Sequence, residues 1–294
     1  YSRASIGNEV QQRQWSQQQQ YSRSYAGSSA MEVYYQTENQ GALSRTQSAS
    51  SAMDVRYSYL DVQRINVELN GLYTIDGNEE IQFHYRVSAN QNFSLEYGRG
   101  QYAESIAVRK DPLIVNYSGG FNHLSSDVFE FDLNSDGKTE TLSFAGAGSG
   151  FLAIDRNQDG TINDGGELFG ASSGNGFAEL AQFDEDGNGF IDAGDLIYSQ
   201  LTIFTRDQSG SHQLSSLEQM GIAAIGLENA QTPFRISDQL NNDLGYARAT
   251  GIFVRHDGSV DSVQQVDLSE RDLAREHKRR QAFSAPSAPV TQDA

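Results

Sequence analysis

The chain has 294 residues, of which 37% are hydrophobic, and it carries a formal net charge of −18 with no cysteine. This charge disfavours nucleic acid and anionic membranes as partners, because both would repel the chain, and it fits the binding of several divalent cations. The absence of cysteine excludes disulfides, thiolate metal sites and a cysteine nucleophile. The sequence predicts no membrane-spanning helix and shows no signal peptide, although a chain that begins at Tyr1 leaves the native N-terminus and the export route open.

The first 118 residues predict two regions. Residues 1–52 are rich in Ser, Gln and Tyr, and they predict a flexible arm or an arm that forms strands on assembly, with strand expected from Met31 onward. Residues 53–118 predict a β meander. Asn70-Gly71 and Asp76-Gly77 each separate β-prone runs, and such dipeptides favour hairpin turns.

Residues 119–268 predict a module of short strands and helices with many Gly, Asp and Asn residues. The runs VFEFDL, TLSFA, FLAID and GIAAIGL favour strands, FAELAQF and AGDLIYSQL have helical spacing, and His256-Asp257-Gly258 predicts a hairpin turn. Residues 269–283 predict a short helix with Ser269 as its N-cap, followed by a disordered tail at 285–294. The predicted fold class is therefore α+β, mainly β: an N-terminal meander followed by a calcium-loop module.

The segment DEDGNGFIDAGD, residues 184–195, has the spacing of an EF-hand calcium loop. Calcium needs six to eight oxygens at about 2.3–2.6 Å, and alternate residues of a tight loop direct their oxygens inward. Gly189 allows the sharp turn at the sixth position, and FAELAQF and AGDLIYSQL predict the flanking helices. The predicted ligands are Asp184, Asp186, Asn188, the carbonyl of Phe190, Asp192 and, in place of the usual glutamate, Asp195.

Two earlier segments repeat this pattern, and they predict two to three bound Ca²⁺ ions in an internal array. In DRNQDGTINDGGE the predicted ligands are Asp155, Asn157, Asp159, the carbonyl of Thr161 and a late acid, either Asp164 or, preferably, Glu167. In DLNSDGKTE they are Asp132, Asn134, Asp136, the carbonyl of Lys138 and Glu140. A fourth segment, TRDQSGSHQ at 205–213, has lost most of its acids and predicts no metal.

Residues 127–268 resemble the calcium-binding region of large secreted bacterial proteins of the haemolysin and VCBS types. The resemblance is carried by D-x-N-x-D-G in FDLNSDGKTE, by D-x-N-x-D-G-x-I in AIDRNQDGTINDGGELFG and by the EF-hand- or dockerin-like segment 184–195. It implies calcium binding and, for the large members, export. The nonapeptide array G-G-x-G-x-D is absent from the sequence, so a β-roll is not implied.

These features favour a non-enzymatic, calcium-binding structural or adhesion protein, extracellular or at the cell surface, with loops that calcium rigidifies. The arm would pair with a protein partner or a second copy. An intracellular calcium sensor is the alternative, disfavoured because the chain has only 3 methionines and sensors expose Met-rich grooves. A hydrolase is favoured less, since the five histidines are scattered and neither H-E-x-x-H nor a P-loop occurs.

Overall fold

The computed structural model describes the backbone of residues 9–26, 29–47, 55–75, 79–98, 111–120, 124–207, 209–274, 276–277 and 280. Among the first 98 residues, side chains are described at 63–73 and 82–91. The predicted turn at Asp76-Gly77 and the predicted tail 285–294 lie outside the described residues. The protein is mainly β, as predicted.

Four long strands form an antiparallel N-terminal sheet in the order β1-β2-β3-β4. Their bounds are β1 Glu9–Ala26, β2 Ser29–Gln47, β3 Val55–Ile75 and β4 Glu79–Gly98. The meander therefore begins in the segment that the composition had assigned to an arm. Long antiparallel neighbours pair with one side of β1 and with both sides of β2 in this Ser/Gln-rich segment.

The hairpin predicted at Asn70-Gly71 is wrong, because β3 continues through both residues. Asn70 pairs with Glu32 on β2 and with His84 on β4, so strands on both sides hold it in the ladder. The local turn preference of the dipeptide is outweighed by pairing with two long neighbours. Further on, Ile75 at the end of β3 pairs with Glu79 at the start of β4.

Strands β3 and β4 of this sheet bury one face. Residues at alternate positions of β3 and β4 are buried, in keeping with the two-residue period of a strand. They are Ile65, Val67, Leu69, Tyr73, Phe83, Tyr85 and Val87. All seven belong to one hydrophobic cluster that also contains Phe129, Phe144 and Phe234. The meander and the C-terminal part of the chain therefore share a core.

Nine strands form the second sheet in the order β11-β10-β8-β5-β15-β14-β12-β9, with β13 paired to β14, and β6 and β7 form a separate hairpin. The bounds are β5 Leu113–Asn116, β6 Leu124–Phe131, β7 Glu140–Ala145, β8 Ser149–Ile154, β9 Phe190–Asp192, β10 Leu201–Arg206, β11 His212–Ser216, β12 Ile222–Gly226, β13 Ala230–Ser237, β14 Asp243–Arg255 and β15 Val260–Leu268. The strands predicted in VFEFDL, TLSFA, FLAID and GIAAIGL are confirmed, as is the turn between β14 and β15.

Helices are short in the described residues. Helix α1 spans Gly176–Leu180 and continues as a 3-10 turn at Ala181–Phe183, which confirms the helix predicted in FAELAQF. The helix predicted in AGDLIYSQL is wrong: apart from a 3-10 turn at Tyr198–Gln200, the chain passes directly into β10. The Asp195 side chain accepts from the N–H groups of Glu185 and Asp192, which ties the start of this segment to the loop before it, and its last residue, Leu201, pairs with Ile154 of β8. No helix in the described part of the chain has both the length and the apolar character needed to cross a bilayer.

The C-terminal segment packs on the β6–β7 hairpin through Arg271. Its backbone N–H donates to the Thr141 carbonyl at 2.8 Å, and its guanidinium pairs with Glu276 and donates to Ser143 Oγ at 2.6 Å. The predicted N-cap is wrong, because Ser269 Oγ has no hydrogen-bond partner and the helical residues begin at 273. The Ser269 N–H donates to the Leu244 carbonyl at 3.1 Å, which holds this residue beside the sheet.

Candidate metal centre

Three acidic loops project from the second half of the chain. Loop A (132–140) connects β6 to β7, loop B (155–167) follows β8, and loop C (184–195) follows α1 and includes the short strand β9. Positions are counted from the first aspartate of each loop, so Asp132, Asp155 and Asp184 all stand at position 1. The three loops follow different secondary-structure elements. Any similarity between their backbone conformations therefore arises from the loop sequences themselves.

The three loops adopt the same unusual backbone at positions 4 and 6. The φ angle at position 4 is 57° in loop A, 58° in loop B and 71° in loop C, and at position 6 it is 85°, 83° and 83°. Glycine occupies position 6 in all three loops, as Gly137, Gly160 and Gly189, which fits its freedom to adopt a positive φ. The repeated sequence pattern thus produces a repeated tight turn.

The position-1 carboxylate accepts hydrogen bonds from the backbone of its own turn in each loop. One of its oxygens accepts from the N–H of position 5, at 3.0 to 3.2 Å, and the other from the N–H of position 6, at 2.8 to 3.0 Å. The position-5 side chain in turn accepts from the N–H of position 7. These bonds hold the first and fifth side chains on the inner side of the turn.

An acid near the end of each loop closes it onto position 2. The N–H of position 2 donates to Glu140 in loop A at 2.9 Å, to Glu167 in loop B at 3.3 Å and to Asp195 in loop C at 2.7 Å. Glu167 and Asp195 are also buried. In loop B this favours Glu167 over Asp164 as the late ligand, because the Asp164 carboxylate caps the 3-10 turn at 165–167 and accepts from Ser135 of loop A.

Loop C brings three carboxylates together. One oxygen from each of Asp184, Asp186 and Asp195 lies within 4.8 Å of the other two. Burial raises the pKa of the Asp195 carboxyl, and hydrogen bonds from the N–H groups of Asp192 and Glu185 offset only part of that rise. A desolvated carboxyl facing two other acids is destabilised in its ionised form unless a cation compensates. Among the described residues this is where three acidic side chains converge at ligand spacing.

The other predicted ligands of loop C surround this group. Asn188 donates to Asp186 at 3.2 Å and to Asp192 at 3.0 Å, while the Asp192 carboxylate lies outside the three converging acids. Phe190 is buried on β9, which pairs with β12, so its backbone is held in a sheet. The loop is thus fixed at its start by α1 and the following 3-10 turn, and at its end by the sheet.

Loops A and B contact each other through their backbones. Most of their predicted ligands are exposed at the surface. The backbones of Asp132 and Asp164 form a bridge, and the Gly165 N–H donates to the Asp132 carbonyl at 2.8 Å. The remaining predicted ligands lie in hydrogen-bonded turns at the surface: Asn134, Asp136, Lys138, Asn157, Asp159 and Thr161. Hydrogen bonds from the Thr161 hydroxyl and N–H lower the pKa of the Asp159 carboxyl. The acids of loops A and B do not converge as those of loop C do.

A second polar cluster escaped the sequence analysis. The buried carboxylates of Asp111 and Asp267 both pair with Arg248, at 3.0 and 3.1 Å, and Gln265 donates to Asp111 at 3.2 Å. Arg248 and Gln265 also line a cavity of about 420 Å³, together with Tyr246. The first partner of Arg248 lies 137 positions away in the sequence, so no local spacing could have indicated this cluster.

In its described residues this is a mainly β protein, with two large antiparallel sheets, the β6–β7 hairpin and three acidic turn loops. Residues 118–269, just over half of the chain, match the family model of the SPM domain. The chain therefore belongs to the SPM-domain family. The matched residues contain all three loops and most of the second sheet, whereas the resemblance of residues 127–268 to haemolysin-type and VCBS-type proteins stays a prediction.

The chain is also similar to a curated bacterial protein, the iron-regulated protein FrpA of Neisseria meningitidis serogroup C. The two are 26% identical over 194 residues, which cover 60% of this chain and 17% of FrpA. The chain thus spans a small part of that relative's length, so the activity of the whole relative does not transfer to it.

Proposed function

We propose that this protein is a calcium-binding structural module, with two to three Ca²⁺ ions that rigidify loops A, B and C. The observation that carries the proposal is the convergence of Asp184, Asp186 and the buried Asp195 within 4.8 Å of one another. Two carboxylates about 4 Å apart repel by about 4 kcal/mol at an effective dielectric constant near 20. A bound divalent cation replaces that repulsion with attraction.

The donor types favour calcium over other ions. Every predicted ligand offers oxygen, and the chain has no cysteine, which suits a hard cation rather than zinc or copper. Loop backbones with tight turns and side chains of mixed length suit the variable coordination of Ca²⁺ better than the strict octahedron of Mg²⁺. Loops A and B are included because their position-1 and closing acids make the same backbone hydrogen bonds as those of loop C.

We place the module outside the bacterial cell or at its surface, as part of an adhesion or assembly protein. Calcium near millimolar outside cells would keep even weak sites filled. The similarity to a bacterial protein and the net charge of −18, which several bound cations would partly neutralise, are compatible with this placement. The N-terminal sheet is the part we propose to contact a protein partner or a second copy. Strand β1 lies at its edge, and an edge strand carries backbone groups able to pair with another chain.

Calcium is expected to stabilise the protein against heat, and magnesium is not. At a calcium concentration one hundred times the dissociation constant, one filled site adds about 2.7 kcal/mol to the free energy of unfolding. Thermal unfolding followed by circular dichroism in calcium, magnesium and EDTA measures this effect, and light scattering on the same samples reports assembly. Equal melting temperatures in calcium and EDTA would contradict the proposal.

Two matched variants assign the effect to loop C. Asp184→Asn removes one of the three converging charges and is expected to abolish the part of the calcium response due to this loop. Asp207→Asn is the control, because Asp207 has a similar turn in which its carboxylate accepts from Ser209 and Ser211 but no other acids converge on it. Equal calcium responses in the two variants would remove loop C from the proposed set.

A further inference from the structure

We infer that Tyr73, on strand β3 of the N-terminal sheet, is a positioning residue for the cation site of loop C. Docking of the N-terminal sheet and binding of calcium by loop C would then stabilise each other. The inference rests on the proposed function, since it requires a cation in loop C. It adds a contribution from a strand that lies outside the residues matched by the SPM-domain family.

Tyr73 contacts loop C at two positions. Its hydroxyl donates to Asp192 Oδ2 at 2.5 Å, and its ring centroid lies 4.2 Å from that of Phe190. The Tyr73 side chain is only 2% exposed, so this contact is enclosed between the sheet and the loop. Asp192 and Phe190 are the predicted ligands at positions 9 and 7, one through its carboxylate and the other through its carbonyl.

The contact continues from Asp192 to the converging acids. Asp192 Oδ2 also accepts from Asn188 at 3.0 Å, Oδ1 accepts from the Gly194 N–H at 2.8 Å, and the Asp192 N–H donates to Asp195 at 3.0 Å. Tyr73 therefore fixes the carboxylate of Asp192. The backbone N–H of Asp192 in turn fixes the carboxylate of Asp195, one of the three converging acids. Groups that orient metal ligands in this way typically contribute 10- to 100-fold to metal affinity.

Linkage makes this effect reciprocal. If docking of the sheet raises the calcium affinity of loop C by some factor, then calcium raises the equilibrium constant for docking by the same factor. The sheet is also held by contacts far from loop C, such as the Arg235 N–H that donates to Gln63 at 2.9 Å, and by the buried faces of β3 and β4. Removing only the Tyr73 hydroxyl should therefore weaken the coupling and leave the sheet docked.

The test is a calcium titration of Tyr73→Phe, which keeps the aromatic ring against Phe190 and removes the hydroxyl. Competition with a chromophoric chelator gives the calcium dissociation constants, and subtraction of the Asp184→Asn titration isolates loop C. We expect the dissociation constant of loop C to rise 10- to 100-fold in Tyr73→Phe. The matched control is Tyr85→Phe: Tyr85 is on β4 of the same sheet, faces the same core, and its hydroxyl donates to the Gly120 carbonyl at 3.5 Å.

A second measurement compares hydrogen exchange in the wild type and in Asp184→Asn. In the wild type, exchange of the backbone amides around Tyr73 on β3 should slow when calcium is added, and in Asp184→Asn it should slow less. If the wild type binds calcium through loop C but Tyr73→Phe changes its dissociation constant less than twofold, or if calcium leaves exchange in β3 unchanged, the inference is wrong and the proposed function stands. If the wild type and Asp184→Asn bind calcium equally, the loop C site and the inference both fail.

Discussion

Replacing Arg248 with alanine is expected to lower the free energy of unfolding by about 3–4 kcal/mol, because it removes a cationic partner from two buried carboxylates. Arg248 Nη1 lies 3.0 Å from Asp111 Oδ2 and Nε lies 3.1 Å from Asp267 Oδ2, and the two aspartate side chains are 6% and 4% exposed. Gln265 stays within 3.2 Å of Asp111 but brings no charge. The expected loss stays below the largest values known for such pairs because Arg248 itself is half-exposed beside an open cavity.

Urea unfolding at neutral pH measures this loss, and Arg86→Ala is its control. Arg86 pairs with Glu68 at 3.0 Å but is 65% exposed, so its removal should cost far less than that of Arg248. Adding Asp267→Asn to Arg248→Ala should recover about 1 kcal/mol or more, since one of the two buried charges is then gone. A loss in Arg248→Ala no larger than that in Arg86→Ala would show that water solvates these carboxylates despite their burial.

The parts of this protein that sequence reasoning could predict are those set by near neighbours. The acidic loops repeat because each turn needs its glycine at position 6 and its oxygens at alternate positions, and positive φ angles occur at Gly137, Gly160 and Gly189. The short strands between them are bounded by Gly, Asp and Asn residues that can be recognised in the sequence. The preference for Glu167 as the closing acid of loop B came from the same spacing, and its bond to the Arg156 N–H agrees with it.

Pairing with distant strands decided the points that sequence reasoning missed. Asn70-Gly71 stays extended because β2 and β4 pair with it on both sides, and the segment 193–201 ends in a strand because Leu201 pairs with Ile154 of β8. The contacts of Arg248 with Asp111, and of Tyr73 with Asp192, join residues more than 100 positions apart. No local pattern contains such information. Local spacing in the sequence therefore predicts the acidic loops but not the distant residues that hold them in place.

Gly165→Ala is expected to lower the free energy of unfolding by about 3 kcal/mol, at the upper end of what overpacking costs. A Cβ atom at this position would overlap the backbone carbonyl of Leu133 in loop A, and a carbonyl in a hydrogen-bonded turn has little room to move. The Gly165 N–H also donates to the Asp132 carbonyl at 2.8 Å, so the same displacement would lengthen the bond that joins loops A and B. The control is Gly166→Ala, whose nearest neighbour is the side-chain oxygen of Asp164 at 2.9 Å, which a small rotation can relieve.

The two glycine variants also separate the loops by their calcium response. Gly165→Ala should reduce the stabilisation by calcium that remains in Asp184→Asn, because it displaces the position-1 residue of loop A and the late residues of loop B together. Thermal unfolding of both glycine variants in the Asp184→Asn background, in calcium and in EDTA, measures this. Equal stability and equal calcium response in Gly165→Ala and Gly166→Ala would mean that loops A and B move independently. A loss confined to Gly165→Ala would mean that the backbone bridge between Asp132 and Asp164 makes them a single binding unit.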